Sequence, residues 1–120
     1  MGITQEIGSR AEGIAAEWLM DRGFRLRHMN WRSGRYEIDI VAEKGDTVHF
    51  VEVKCRKEGA LTSPEDAVTP AKFRALQKAA AAYINTYGVD LEPQFDLVAV
   101  EYEGDGYDVR FIPNAMTPGW

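Results

Sequence analysis

Cysteine and long apolar runs are nearly absent from this chain of 120 residues, and each absence removes a class of protein. The single cysteine, Cys55, excludes an internal disulfide framework and any zinc site built from several cysteines. No apolar run in the sequence approaches the roughly 18 residues of a membrane-spanning helix. Gln5, Glu6 and Arg10 interrupt the start of the chain, which therefore lacks the pattern of a signal peptide. We expect a cytoplasmic protein with no membrane partner.

Basic charge is also scarce, since 14 lysines and arginines face 19 acids and give a formal net charge of −5. The acidic excess lies in residues 88–120, where Arg110 is the one base among seven acids. The rest of the chain is nearly balanced, and local fields rather than total charge steer polyanions. The composition therefore excludes a strongly basic nucleic-acid binder, but it allows modest and salt-sensitive binding.

The length of 120 residues predicts one domain over residues 1–120. Helical spacing covers about 4–21 and, after Pro70, about 71–87. Residues 30–35 are expected to form a loop, and residues 113–120 a loose tail. Alternating or β-branched stretches predict strands at about 24–29, 36–42, 47–55, 94–101 and, at a sheet edge, 107–112.

This order of elements, αβββαβ(β), predicts an α/β fold with a mixed β-sheet flanked by helices. If the third and fourth strands are parallel, the second helix makes a right-handed crossover between them. Glu58 to Thr69 would be an irregular segment that leads into this helix.

Charged residues in the middle of two apolar strands are the most informative feature of the chain. Strand alternation places Glu37, Asp39 and Val41 on one face, and it places Glu52 and Lys54 on one face of the next strand. Charges in such positions are unfavourable unless they are paired or bound to a metal. A divalent cation is the leading candidate for their compensation.

The turn between these strands predicts which charges face each other. If Gly45-Asp46 is a two-residue hairpin loop, Asp39 lies opposite Glu52. Opposed like charges destabilise an antiparallel pair, and a hard cation that accepts oxygen from both would reverse that effect. A solvated face on which Lys54 neutralises the acids explains the spacing equally well, and both interpretations stay open at this point.

Other candidates depend on less specific signals. Glu12 lies at the edge of the apolar stripe of the first helix, where simple solvation is the ordinary alternative. Trp31, Arg32 and Arg35 suit base stacking and phosphate contact, although the tryptophan can equally cap the core while the arginines are solvated. Cys55 points away from Lys54 and is expected to be a small core residue.

The same residues carry a resemblance to a known family. Its strand motifs are EIDIVA at 37–42 and FVEVKCR at 50–56, and its other matches are Gly8, Glu12, Ala16, Asn30, Arg32, Pro64 to Val68, Lys72 and Phe95-Asp96. On this pattern the chain resembles the YraN family of bacterial proteins. More broadly it resembles the PD-(D/E)xK superfamily, with its restriction-endonuclease-like fold, near the archaeal-type Holliday junction resolvases.

The resemblance implies specific roles. Asp39 and Glu52 match the metal-binding acids, and the implied cofactor is Mg²⁺ or Mn²⁺. Lys54 matches the lysine that orients or activates the attacking water. Glu12 matches the helical acid that completes the catalytic site in resolvase-like members.

Three further residues are candidate supporting residues: Glu37 and Lys72 fit the narrower family pattern, and Gln77 matches loosely a glutamine of some nuclease branches. Tyr36 departs from the pattern, because the family usually has glycine there. A bulky side chain at this position narrows the approach of a substrate backbone.

The implied function is a metal-dependent nuclease that hydrolyses phosphodiester bonds, structure-selective on branched DNA. The alternative is a non-catalytic module that binds nucleic acid or protein on the same fold. The acids and Lys54 favour the enzyme, whereas the acidic charge and small size favour a binding partner or a homodimer.

Overall fold

Two helices and five strands form in the order that the apolar periodicity predicts. The computed structural model describes residues 3–57, 59 and 69–115, with side chains of the first helix from Arg10 onward. The segment Pro64–Val68 of the resemblance and residues 116–120 of the expected tail lie outside the described residues. The elements are α1 (Ile3–Asp21), β1 (Arg25–Ser33), β2 (Tyr36–Lys44), β3 (Thr47–Lys57), α2 (Pro70–Tyr87), β4 (Glu92–Glu103) and β5 (Gly106–Ile112).

The five strands form one mixed sheet in the order β1-β2-β3-β4-β5. The β1/β2, β2/β3 and β4/β5 pairs are antiparallel, and β3 and β4 are parallel. A parallel pair needs a crossover connection, which α2 supplies. The predicted α/β class and the mixed sheet are therefore confirmed.

The sheet is buried on both faces, because each helix covers one of them. One apolar cluster lies under α1 and the other under α2. The α1 cluster contains Ala11, Ala15, Ala16, Leu19, Ile40, Ala42, Val51, Val98 and Val100. The α2 cluster contains Ile38, Val41, Val48, Phe50, Phe73, Leu76, Ala79, Ala80, Tyr83 and Leu97.

The sequence of α2 determines where this helix begins and ends. The Thr69 hydroxyl accepts a hydrogen bond from the Lys72 N–H at 3.2 Å, and Pro70 occupies the first turn, where its missing N–H is not needed. Gly88 ends the helix at φ 60°, a left-handed conformation that glycine adopts without strain. In the described ranges, no helix has both the length and the apolar character needed to cross a membrane.

The prediction of a loop at residues 30–35 is wrong. β1 continues to Ser33, and a tight turn at Gly34-Arg35 joins it to β2. Gly34 has φ 59°, which such a turn requires. Trp31 pairs with Ile38 and packs, partly buried, against the α2 cluster, and this packing extends the strand where the polar sequence suggested a loop.

The β2–β3 hairpin has the predicted two-residue turn, and its pairing runs from Lys44 with Thr47 to Ile40 with Val51. The paired ladder ends there, one position before Asp39 and Glu52 would oppose each other. Alternation along β2 also breaks at this point.

Val41 contacts the α2 cluster, and Ile40 contacts the α1 cluster, as alternation requires. Ile38, which should share the face of Ile40, contacts the α2 cluster instead. The prediction that Asp39 and Val41 share a face is therefore wrong. Val41 belongs to the α2 cluster, whereas the Asp39 carboxylate lies near Glu12 of α1.

Tyr83 links α2 to the edge strand β1. Its side chain is fully buried, and its hydroxyl accepts a hydrogen bond from Arg27 Nε at 3.1 Å. His28 Nδ1 lies 2.6 Å from the same oxygen. The hydroxyl therefore satisfies two polar groups of β1 at the border of the core.

We expect Tyr83→Phe to lower the free energy of unfolding by about 1–3 kcal/mol, because it leaves two partly buried polar groups without their partner. Urea denaturation with an unchanged m-value would measure this. Tyr87→Phe is the matched control: this tyrosine is 43% exposed, although its hydroxyl accepts from Trp31 Nε1. A loss for Tyr87→Phe equal to that for Tyr83→Phe would contradict the role of Tyr83.

Candidate functional site

The Asp39 carboxylate occupies the gap where β2 and β3 separate. Its Oδ2 accepts a hydrogen bond from the Val53 N–H at 2.8 Å. Had the hairpin register continued, Val53 would pair with Ile38 along the backbone ladder. A side chain has therefore replaced a main-chain acceptor, and it holds the carboxylate between the two faces of the sheet.

Three acids from two elements meet at this gap. Oxygen atoms of Glu12, Glu37 and Asp39 lie within 4.8 Å of one another. Glu12 projects from α1, and the other two belong to β2. Asn30 of β1 donates from Nδ2 to Glu12 Oε1 at 2.9 Å and to Glu37 Oε1 at 3.3 Å. We call these three carboxylates the acidic triad.

Glu52 and Lys54 form a second group beside the triad. Alternation along β3 puts them on the face that carries Phe50, towards α2. Lys54 Nζ lies 3.6 Å from Glu52 Oε1, and the Tyr36 hydroxyl donates to Glu52 Oε2 at 3.2 Å. Both oxygens of Glu52 therefore have a partner within the protein.

The electrostatics join the two groups at Asp39. Burial and, after it, the charge of the Glu52 carboxylate together raise the pKa of Asp39 to about 7, against the opposing effect of the Val53 N–H. Glu12 and Glu37 add smaller contributions in the upward direction. Burial, with the charges of Glu52 and Asp39, also raises the pKa of Tyr36, so this hydroxyl remains a donor at neutral pH.

The structure thus places the sequence-predicted residues in two groups that share Asp39. Glu12 and Glu37 lie with Asp39 in the acidic triad, whereas Glu52 and Lys54 lie on the α2 side and Glu52 is not a member of the triad. The acids predicted to oppose each other across the hairpin avoid direct opposition, because the strands part there.

The remaining candidate residues lie on α2 and on the β1–β2 hairpin. Lys72 is exposed in the first turn of α2, and Gln77 is half-buried on the same helix. Arg32 forms an ion pair with Glu37 at 3.1 Å, and Arg35 is exposed in the β1–β2 turn. Trp31 packs edge-on against Tyr83 with ring centroids 5.1 Å apart, which matches the core-capping alternative.

Three polar contacts were not predicted from the sequence. The Asn30 bridge and the Tyr36 contact join residues whose partners lie on other strands or on α1. The third is a buried pair in which His49 Nδ1 lies 2.6 Å from Asp96 Oδ2. A lone histidine and a lone aspartate on two apolar strands are the signal that could have indicated it.

The donor set fits a hard divalent cation. Carboxylate oxygens are the ligands that Mg²⁺ and Mn²⁺ prefer, and Asp39 supplies one that is largely buried. Among the described residues this carboxylate has one backbone donor, and acids surround it, so the protein offsets little of its charge. A cation at the gap would supply that compensation.

Comparisons with known proteins identify the family. The model of the uncharacterised protein family UPF0102 matches residues 11–100. A UPF0102 protein of Phocaeicola vulgatus is 38% identical over 118 residues, which cover 98% of each chain. One of Bacteroides thetaiotaomicron is 35% identical with the same coverage, and one of Porphyromonas gingivalis is 40% identical over 99 residues, or 82% of this chain and 73% of the relative. The chain therefore belongs to the bacterial UPF0102 family, which is the YraN family that its strand motifs resemble.

Proposed function

We propose that this protein is a metal-dependent nuclease that hydrolyses phosphodiester bonds. The observation that carries the proposal is the Asp39 carboxylate, which is largely buried in the strand gap and faces acids from both sides of the sheet. Such a site is unfavourable without a cation, and proteins retain unfavourable arrangements mainly where function needs them.

Asp39 would be the ligand common to both groups of acids. Glu52 supplies the second carboxylate that the resemblance implies, and Glu12 and Glu37 lie close enough to Asp39 to share in binding. A bound Mg²⁺ or Mn²⁺ supplies a water of lowered pKa and positive charge near the phosphate. Asn30 and Tyr36 hold the acids in place, and neither contributes a charge that would compete with the cation.

Lys54 has a separate role. Its ammonium lies beside Glu52 with about a quarter of the side chain exposed, at a position that solvent can reach. A compact point charge of this kind orients a water molecule and offsets negative charge that develops on the phosphate. The preference for branched DNA rests on the likeness to the Holliday junction resolvases.

Arg32 and Arg35 lie on the β1–β2 hairpin, next to Tyr36 and the site. The acidic residues of β4 and β5 occupy the opposite edge of the sheet. Electrostatic repulsion of a polyanion is therefore weaker over β1 and β2 than over β5. This distribution supports a nucleic-acid partner in spite of the negative net charge.

We expect Asp39→Asn to abolish cleavage and Lys54→Ala to lower its rate about 10²–10³-fold, the usual effect of losing one electrostatic contact in a transition state. A four-way junction, a flap and a single strand of DNA, each with Mg²⁺ and with Mn²⁺, form the assay. Lys57→Ala is the control, since Lys57 is exposed at the end of the same strand. Equal cleavage by wild type and Asp39→Asn would assign the activity to another site.

The pKa of Asp39 predicts how stability depends on pH in EDTA. The unfolded carboxyl ionises near pH 3.9 and the folded one near 7, so the folded state loses stability as pH rises from about 4 to 7, by at most about 4 kcal/mol. Asp39→Asn removes this loss, and we expect the variant to equal wild type near pH 4 and to exceed it at pH 8. Addition of Mn²⁺ should restore the stability that the wild type loses at pH 8.

Chemical denaturation at both pH values would measure the difference. Glu43→Gln is the matched control on the same strand, because Glu43 pairs with Arg25 at 3.0 Å and with Arg27 at 2.8 Å. This variant should lose stability rather than gain it. Clear destabilisation by Asp39→Asn at pH 8 would show that Asp39 is an ordinary ion-pair partner and would favour a binding or structural role.

We also expect Arg35→Ala to weaken DNA binding equally across sequences and to reduce the salt dependence by about one phosphate contact. Fluorescence anisotropy in Ca²⁺ at several salt concentrations would measure both effects. Arg110→Ala on β5 serves as the control at the far edge of the sheet. An equal loss of affinity in both variants would place the DNA elsewhere.

A further inference from the structure

Asn30 combines an unusual backbone with an unusual set of contacts. Its φ is 52°, in the left-handed region that residues other than glycine seldom adopt. Met29 pairs with Ile40 and Trp31 with Ile38, so Asn30 lies across from Asp39 at the point where regular pairing is interrupted. The edge strand is therefore irregular directly beside the acidic triad.

The side chain of Asn30 ties two elements together. Its amide group has two N–H donors. The Nδ2 atom lies 2.9 Å from Glu12 Oε1 on α1 and 3.3 Å from Glu37 Oε1 on β2. One neutral group thus bridges two carboxylates that repel each other at this distance, and the other oxygen of Glu37 pairs with Arg32 at 3.1 Å.

Glu12 depends most on this bridge. It extends from a helix face as a flexible side chain, and holding it in one rotamer has an entropic cost. Among the described residues, Asn30 is its hydrogen-bond partner. A lysine or arginine in the same place would also hold it, but its positive charge would compete with a cation.

We propose that Asn30 is a positioning residue that holds Glu12 beside Glu37 and Asp39, so that the acidic triad is assembled before a divalent cation binds. The inference rests on the proposed function, since it assigns a purpose to the triad of that same site. It explains why a strained backbone lies beside the triad: the left-handed conformation aims the amide at both acids. Asparagine is, after glycine, the residue that tolerates this conformation best.

The backbone conformation makes a sharp experiment available. Asn30→Gly relieves the positive φ and removes the amide, so it tests the bridge without adding strain. Asn114 has the same φ of 52° and lies after β5, beside Asp96, so Asn114→Gly is the matched control. Titration calorimetry with Mn²⁺ in the absence of nucleic acid gives a readout that does not require activity.

We expect Asn30→Gly to weaken Mn²⁺ binding about 10–100-fold, the usual effect of losing a residue that orients a metal ligand, and Asn114→Gly to leave it unchanged. In a Glu12→Ala background, Asn30→Gly should weaken binding much less, because the carboxylate on which it acts is gone. A general structural role for Asn30 would give the same loss in both backgrounds.

The outcomes separate this inference from the proposed function. Mn²⁺ binding by wild type with no change in Asn30→Gly overturns the role of Asn30 and leaves the metal site standing. No Mn²⁺ binding by wild type overturns both. If Asn30→Gly does not fold, NMR spectra of the metal-free protein test the inference instead. Glu12→Ala should shift the side-chain amide resonances of Asn30 relative to those of wild type, and unshifted resonances overturn the inference.

Discussion

One hydrogen bond, from the Val53 N–H to the Asp39 carboxylate, determines how the middle of the sheet is built. It takes the place of a ladder bond, and β2 and β3 part beyond Ile40 and Val51. The opening lets acids from α1 and β3 act on one carboxylate, although strand alternation and helix packing place them on different faces. Because a single backbone donor does not offset the burial of this acid, the bond shapes the site and leaves its charge to be compensated.

Most of the fold could be predicted because its determinants are local. Apolar spacing located both helices, Pro70 and Gly88 marked the ends of α2, and Gly45-Asp46 set the register of the β2–β3 hairpin. A loop was predicted at residues 30–35 because their composition is polar. They continue strand β1, which Trp31 anchors to α2. That anchor is a contact with residues more than fifty positions away, and no local pattern reveals it.

The candidate site was predictable only in part, for a related reason. Charges on apolar strands indicated Asp39, Glu52 and Lys54, because such charges are unfavourable wherever they occur. Period-two alternation assumes an unbroken strand, so it could not show the change of face at Asp39. The grouping of Glu12 with Glu37 follows from that break and from the Asn30 bridge, both of which arise from neighbours in space.

A comparison of the partly buried Asp39 with the fully buried Asp96 on the same sheet indicates that the shortage of hydrogen-bond partners at Asp39 is local to the site. Asp96 is fully buried, and its carboxylate is met by His49 Nδ1 at 2.6 Å, Gln94 Nε2 at 2.8 Å and the Asn114 N–H at 2.9 Å. Among the described residues, Asp39 receives one donor, and its other neighbours include negatively charged groups. The chain can therefore surround a buried carboxylate with partners, and at Asp39 it places further carboxylates instead. An acid held for stability would resemble Asp96, whereas the surroundings of Asp39 agree with the metal-ligand role that we propose for it.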